Sequence, residues 1–237
     1  MARTAPQKAR ISVFAGGRAG FGPIMRAMRN LPYWRLSGFY FFYFAFVGAM
    51  SPFWGLYLQS LAFTAFQIGV LMSLLQVMRI FAPNIWGHLA DKSGKRSAIV
   101  NLAALGSVVA FAGVFVSNRF WWLFAVMAAF SFFWSASLPL VEAMTLSHLG
   151  ERTDAYGKIR LWGSIGFIVM VLGLGYAFDF LPIAVLPWAV LVVMIGIALF
   201  ARAIPDIDHA PHPDDHVPVW HVVKRPEVAA LLAGSLL

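Results

Sequence analysis

Six long apolar runs separated by short polar stretches dominate the chain: Gly38–Leu58, Gln67–Trp86, Ser97–Val116, Phe120–Ser147, Leu161–Phe178 and Ile183–Ala203. A seventh opens near Val228 and reaches Leu237. Crossing the hydrocarbon layer of a bilayer takes about 20 apolar residues of helix, which is the scale of each run. Lipid offers the backbone no hydrogen-bonding partner, so a crossing segment must pair its own N–H and C=O groups, as a helix or a closed barrel does. Barrel strands would alternate polar and apolar positions over about ten residues, and these runs do not alternate. The pattern therefore predicts an all-α, polytopic membrane protein: a six-helix bundle over 36–203 and the start of a seventh helix over 226–237.

The flanking segments read differently. Residues 1–35 are basic, rich in Ala and Gly and without an apolar period, the signature of a disordered segment. They carry neither the compact apolar core nor the small-residue cleavage site of a secretory signal. Met25 and Met28 stand just ahead of the first span, so translation is expected to start at one of them. Residues 204–225 hold Pro205, Pro211, Pro213 and Pro218 with Asp206, Asp208, Asp214 and Asp215, and read as an interdomain linker. His209, His212, His216 and His221 fall in that proline-broken stretch at irregular spacing, which suits a solvated linker and not a metal site.

Composition agrees with lipid as the solvent: 60% of the residues are hydrophobic, 12% charged and 16% aromatic, far from the balance of a soluble domain. The net charge of +8 would suit nucleic acid if the cations formed one stripe, but they are spread between the apolar runs. With the N-terminus inside, all but Arg79 and Arg119 of the 18 Lys and Arg residues fall in inner segments. The positive-inside bias thus predicts a cytoplasmic N-terminus, and the inner membrane is the expected location. The chain contains no cysteine, so disulfides and thiol chemistry are excluded. It also lacks a Walker loop and a Gly-x-Ser-x-Gly elbow, and a dinucleotide fingerprint would need a preceding strand. Neither an enzyme nor a cofactor is expected.

Between the second and third runs lies Gly87-His88-Leu89-Ala90-Asp91-Lys92-Ser93-Gly94-Lys95-Arg96. A helix entering at Trp86 and another leaving at Ser97 need a tight turn, and Gly87 and Gly94 permit positive φ or close backbone approach there. Asp91 suits a helix N-terminus or an ion pair with Arg96, while Lys92 and Lys95 anchor the turn at the inner face. As residue types alone, these also fit a charged hairpin that merely obeys the topology rule.

The spacing Gly-x-Leu-Ala-Asp-Lys-x-Gly-Lys-Arg resembles the signature loop of the major facilitator superfamily. Tyr156-Gly157-Lys158-Ile159-Arg160-Leu161-Trp162-Gly163-Ser164 at the fifth span and Ser51-Pro52-Phe53-Trp54 in the first are similar to the phenylpropionate permease branch, itself similar to proton-coupled sugar and nucleoside symporters. The resemblance runs from about Leu36 to Ala203. It implies a transporter of two six-helix halves rocking about a central site. It further implies that Asp91 and Arg96, with Gly87, Gly94 and Lys95, form a cytoplasmic gating loop that latches against the other half. The chain would then be the N-terminal half, its missing partner a C-terminal six-helix half, and a truncated gene or partial sequence would account for the length. A six-helix half acting as a homodimer is the other reading.

An ionisable group inside a span is costly, so each such group is a functional candidate. Arg79 lies about 10 Å from the inner end of its span and Glu142 some 7–8 Å from the same side, at about 1.5 Å per residue. Ser131, Ser135, Leu138, Glu142 and Thr145 share one helical face, and Ser73, Gln76 and Arg79 share another. One reading is a buried Arg79–Glu142 ion pair that fixes packing. Another is that Glu142 takes up a proton while Arg79, assisted by Gln76, meets an anionic solute or controls the acid. Arg160 is either a snorkelling anchor like Lys158 or a cavity cation facing a carboxylate. Tyr43 and Trp54 belong to an aromatic face that either packs or receives a ring-bearing solute. Glycines 163, 166, 173 and 175 allow close helix approach.

The expected function is secondary active, proton-coupled uptake of a small organic anion such as an aromatic acid, with solute, protons, lipid and the missing half as partners. A neutral nucleoside or sugar is the alternative substrate, to which Arg79 and Arg160 would be idle. A non-transporting membrane scaffold or sensor is the alternative from another class.

Overall fold

Residues 32–150 and 154–205 are described in the computed structural model, and all their regular structure is helical. The helices are α1 (Tyr33–Ser60), α2 (Ala65–Ser93), α3 (Arg96–Ala112), α4 (Phe120–Leu149), α5 (Asp154–Ala177) and α6 (Leu186–Ala203). Single 3-10 turns, Gly113–Phe115 and Ile183–Val185, extend α3 and precede α6. Six segments among the described residues are helices long and apolar enough to cross a membrane. The basic segment up to residue 31, Met25 and Met28, the linker histidines and the seventh span lie outside the described residues.

Each of the six full spans predicted is present among the described residues, but several helices outrun their apolar runs. α1 starts at Tyr33, not Gly38, so Arg35 is helical. α2 continues about two turns past Trp86 to Ser93, and α5 begins at Asp154 about two turns before Leu161. The extensions are polar or charged turns, which remain helical beyond the hydrocarbon layer because nothing in them breaks the i→i−4 ladder. Pro52, Pro83 and Pro139 sit inside α1, α2 and α4, and each lacks the N–H that would have bonded the carbonyl four residues earlier.

The chain divides into two compact units. In the first are α1, the end of α4 from Thr145, α5 and α6; in the second are α2, α3 and α4 up to Met144.

In the first unit α1 packs on both α5 and α6. The aromatic run Phe41–Phe44 sets the register of these contacts, because the Phe42 and Phe44 rings and the Phe41 backbone each meet a glycine. A Cβ added to Gly166 of α5 would strike the backbone of Phe41, including its carbonyl carbon at 2.8 Å; one added to Gly163 would meet the Phe44 ring at 2.6 Å. On α6, Gly196 receives Phe42, whose ring also lies 5.5 Å from that of Phe200. Small residues let helices approach in this way where no hydrophobic effect presses them together. Leu36, Phe39, Tyr40, Ala49, Trp54 and Leu58 are consequently buried along α1.

In the second unit Trp86 of α2 packs against Phe132 and Phe133 of α4, with centroids 5.2 and 5.7 Å away. Its Nε1 donates to the Phe132 carbonyl at 3.0 Å. Phe111 of α3 meets Phe130 edge-on at 5.6 Å. Trp122 Nε1 donates to the Gly113 carbonyl at 2.8 Å, fastening the start of α4 to the end of α3. Large apolar side chains, among them Val77, Ile80, Phe81 and Ile85 of α2 and Ile168, Val169 and Leu172 of α5, stay exposed. Exposure on this scale suits a protein whose solvent is lipid.

Candidate functional site

The first unit contains an arginine seated on aromatic rings. Arg160, half-buried near the start of α5, places its guanidinium carbon 4.3 Å from the centre of the Phe44 ring and 5.4 Å from that of Tyr40. Phe44 and Tyr40 are one turn apart on α1, so the cation faces two successive turns of the same helix. The Tyr40 hydroxyl lies 3.3 Å from Thr145 Oγ1 in a buried hydrogen bond that reaches the end of α4. A guanidinium is weakly hydrated and stacks well on rings, so this environment holds the charge with less loss than an ammonium would suffer. Lys158, two residues earlier, is exposed.

Near the same end of α1, Trp162 Nε1 donates to the Tyr33 hydroxyl at 3.2 Å and Arg35 Nη1 donates to the Ala203 carbonyl at 3.1 Å. Trp34, 69% exposed, meets Trp162 edge-on at 5.6 Å. Amphipathic rings and arginines concentrated at a helix end are the usual furniture of a membrane interface.

The second unit carries the signature turn. α2 runs on to Ser93, Gly94 takes φ +64°, and its N–H donates to the Ala90 carbonyl at 3.1 Å. Arg96 Nη2 then reaches back to Asp91 Oδ1 at 3.2 Å. Of the two uses open to Asp91, the ion pair with Arg96 is formed, and Gly94 supplies the left-handed residue that the turn needs. Gly87 does neither of the things expected of it: it lies inside α2, and a Cβ there would meet nothing within 4 Å. The turn proper is only Gly94 and Lys95, because α2 absorbs the preceding charged residues.

Arg79 does not take the expected place in an ion pair with Glu142. It is exposed, and its Nη1 donates to Gln76 Oε1 at 3.0 Å within α2. The i, i+3 spacing makes the amide the nearest acceptor. Glu142 is half-buried on α4, while Ser131, Ser135 and Thr145 of its face are buried. Ser135 Oγ donates to the Ser131 carbonyl at 2.7 Å and is satisfied along its own helix, whereas the buried Ser131 Oγ has no hydrogen-bond partner among the described residues.

The two aromatic candidates of α1 are both buried in the first unit. Trp54 has 0% exposure and lies 5.0 Å from the Tyr57 ring; Tyr43 is buried and stacks on Phe39 at 6.0 Å. The aromatics that meet a charge are instead Tyr40 and Phe44. Their helical spacing was visible in the sequence, but nothing local marks them as partners of a cation that arrives from α5.

A bundle of apolar helices with interfacial aromatics, glycine-notched helix contacts and a charged turn joining α2 to α3 defines a multi-pass α-helical membrane protein. The model of the MFS_1 like family matches residues 33–237, and the chain belongs to that family, within the major facilitator superfamily. It is 34% identical over 169 residues to the maltose permease of Geobacillus stearothermophilus, covering 70% of this chain and 43% of that protein. It is 32% identical over 144 residues to the probable 3-phenylpropionic acid transporter of Escherichia coli (strain K12), covering 57% of this chain and 36% of that one. The crystal structure of the nucleoside transporter NupG has the same fold, with a TM-score of 0.70 at 20% identity over 87% of this chain and 51% of NupG. The chain thus matches less than half the length of these curated relatives and about half of NupG.

Proposed function

We propose that the six spans form one half of a secondary transporter that moves a small organic anion, such as an aromatic acid, together with protons across the inner membrane. The observation that carries this reading is Arg160, a guanidinium half-buried against the rings of Phe44 and Tyr40 in a membrane helix. A planar cation held in a fixed place suits a carboxylate. Glu142, a half-buried carboxyl in α4, is the proposed proton carrier, with Arg79 and Gln76 as a further polar pair on α2. Relatives named for a 3-phenylpropionic acid transporter and a maltose permease support transport as the shared activity. The Asp91–Arg96 turn is the proposed gate toward a second six-helix half.

The test is uptake into proteoliposomes by the protein expressed from its complete reading frame, with 3-phenylpropionate, maltose and uridine offered under an inward proton gradient. Accumulation of 3-phenylpropionate, abolished by a protonophore and by Arg160→Gln, is the expected result. The maltose permease relative supports a second reading, a sugar symporter; maltose uptake indifferent to Arg160→Gln would select it. Failure to move any solute would leave a scaffold or sensor. For topology, the cysteine-free chain permits single-cysteine labelling: cysteines replacing Lys95 and Lys158 should react from the cytoplasm, and one replacing Arg119 from the opposite side.

A further inference from the structure

Arg160 does not reach its place unaided. It stands one turn before Gly163 on α5, and the Phe44 ring that lies under its guanidinium is the ring that occupies the space above Gly163. A Cβ on Gly163 would stand 2.6 Å from Phe44 Cδ2 and 3.2 Å from Cγ, so the ring could keep its position only if residue 163 had no side chain. The second ring is fixed independently. Tyr40 is fully buried and its hydroxyl is tied to Thr145 Oγ1 at 3.3 Å.

We infer that Phe44 and Gly163 are positioning residues for Arg160: the ring is a seat held in register by the missing side chain, and the seat fixes the direction in which the guanidinium presents its N–H edge. A long arginine side chain otherwise samples many rotamers, and ordering it on binding weakens affinity. Seating it beforehand lowers that loss, so the seat sets affinity for the anion and leaves the transport cycle itself alone. Neither Phe44 nor Gly163 contacts the solute in this account. The inference rests on Arg160 being the anion-binding group; the seat itself is a geometric property that can be tested without any solute.

The first experiment addresses the seat. The protein from its complete reading frame, in membrane vesicles, is treated with phenylglyoxal, and modification of Arg160 is followed by mass spectrometry with Arg119 as internal reference. Phe44→Leu and Gly163→Ala should raise the Arg160 modification rate severalfold, while Phe44→Tyr should remain at the parental rate. Gly173→Ala serves as control, since nothing lies within 4 Å of a Cβ there. The second experiment reads 3-phenylpropionate uptake at equal protein amounts. Phe44→Leu and Gly163→Ala should raise KM about tenfold with Vmax within about twofold, as expected for loss of a ring contact and its ordering, and Phe44→Tyr should restore KM. Unchanged Arg160 modification in both Phe44→Leu and Gly163→Ala, or equal change in Gly173→Ala, overturns the seat. Altered modification with unchanged KM also overturns the inference, since the seat would then not serve binding. If the parent takes up no 3-phenylpropionate, the transport reading falls while the labelling result still decides whether the rings hold the arginine.

Discussion

The backbone of Phe41 occupies the space that a side chain on Gly166 would need: a Cβ there would stand 2.8 Å from the Phe41 carbonyl carbon, with the carbonyl oxygen nearer still. Backbone cannot swing aside as a flexible side chain can, so α1 and α5 must separate if residue 166 gains a methyl group. Forcing an extra methyl group into a packed contact costs about 1–3 kcal/mol. Gly166→Ala should therefore lower stability by about that amount in thermal unfolding in detergent. Gly173→Ala, on the same helix with open space, should leave it unchanged or slightly raised.

Two glycines of one motif should respond in opposite directions. Gly94 has φ +64°, where an L side chain is strained, at about 1–2 kcal/mol. Gly87 lies within the α2 helix with nothing near its Cβ position, and glycine in a helix costs about 0.5–1 kcal/mol relative to alanine. Gly94→Ala should destabilise and Gly87→Ala should stabilise by these amounts in the same unfolding assay. Equal effects at both positions would mean that the turn does not begin where the structure puts it.

The first six spans and their order were legible because hydropathy reports directly on lipid as solvent. The ends were not. Tyr33–Arg35 and Gly87–Ser93 are helical, yet they are polar enough to look like loops, since helix persists into the interface where apolar composition stops. The Asp91–Arg96 pair was legible as one of two uses of Asp91, because its partners stand only five residues apart. Of the two readings of Arg79, the ion pair with Glu142 is not formed; Gln76, one turn away, accepts from it instead. Arg160 was legible as a cation at the inner start of the fifth span, but its rings come from α1, and a contact between helices distant in sequence leaves no periodic trace.

The Tyr40–Thr145 hydrogen bond joins α1 to the end of α4 at 3.3 Å with both residues fully buried. Thr145→Val keeps the shape and removes the hydroxyl. A hydrogen bond of this kind contributes about 0.5–1.5 kcal/mol, so unfolding should report a loss of about 1 kcal/mol. Adding Tyr40→Phe should cost less than the sum of the two single changes, because each removes the same bond. Strict additivity in that double-mutant cycle would show that the bond contributes nothing.

Glu142 separates the proposed proton role from a structural one. Its half-buried carboxyl lies in α4, inside a membrane span, where an ionisable group is a functional candidate. Glu142→Gln preserves size and hydrogen-bonding capacity while fixing the side chain in an uncharged form, much as protonation would. A protein locked in that form can still bind solute and exchange it across the membrane, but it can no longer load and release a proton in each cycle. Uptake driven by a pH gradient should therefore fall to the level of equilibration, while counterflow of labelled 3-phenylpropionate against unlabelled solute stays within about twofold of the parent, since binding itself is retained. Persistence of gradient-driven accumulation in Glu142→Gln would remove the residue from the coupling step. Loss of counterflow together with accumulation would instead assign it to solute binding or to the packing of α4.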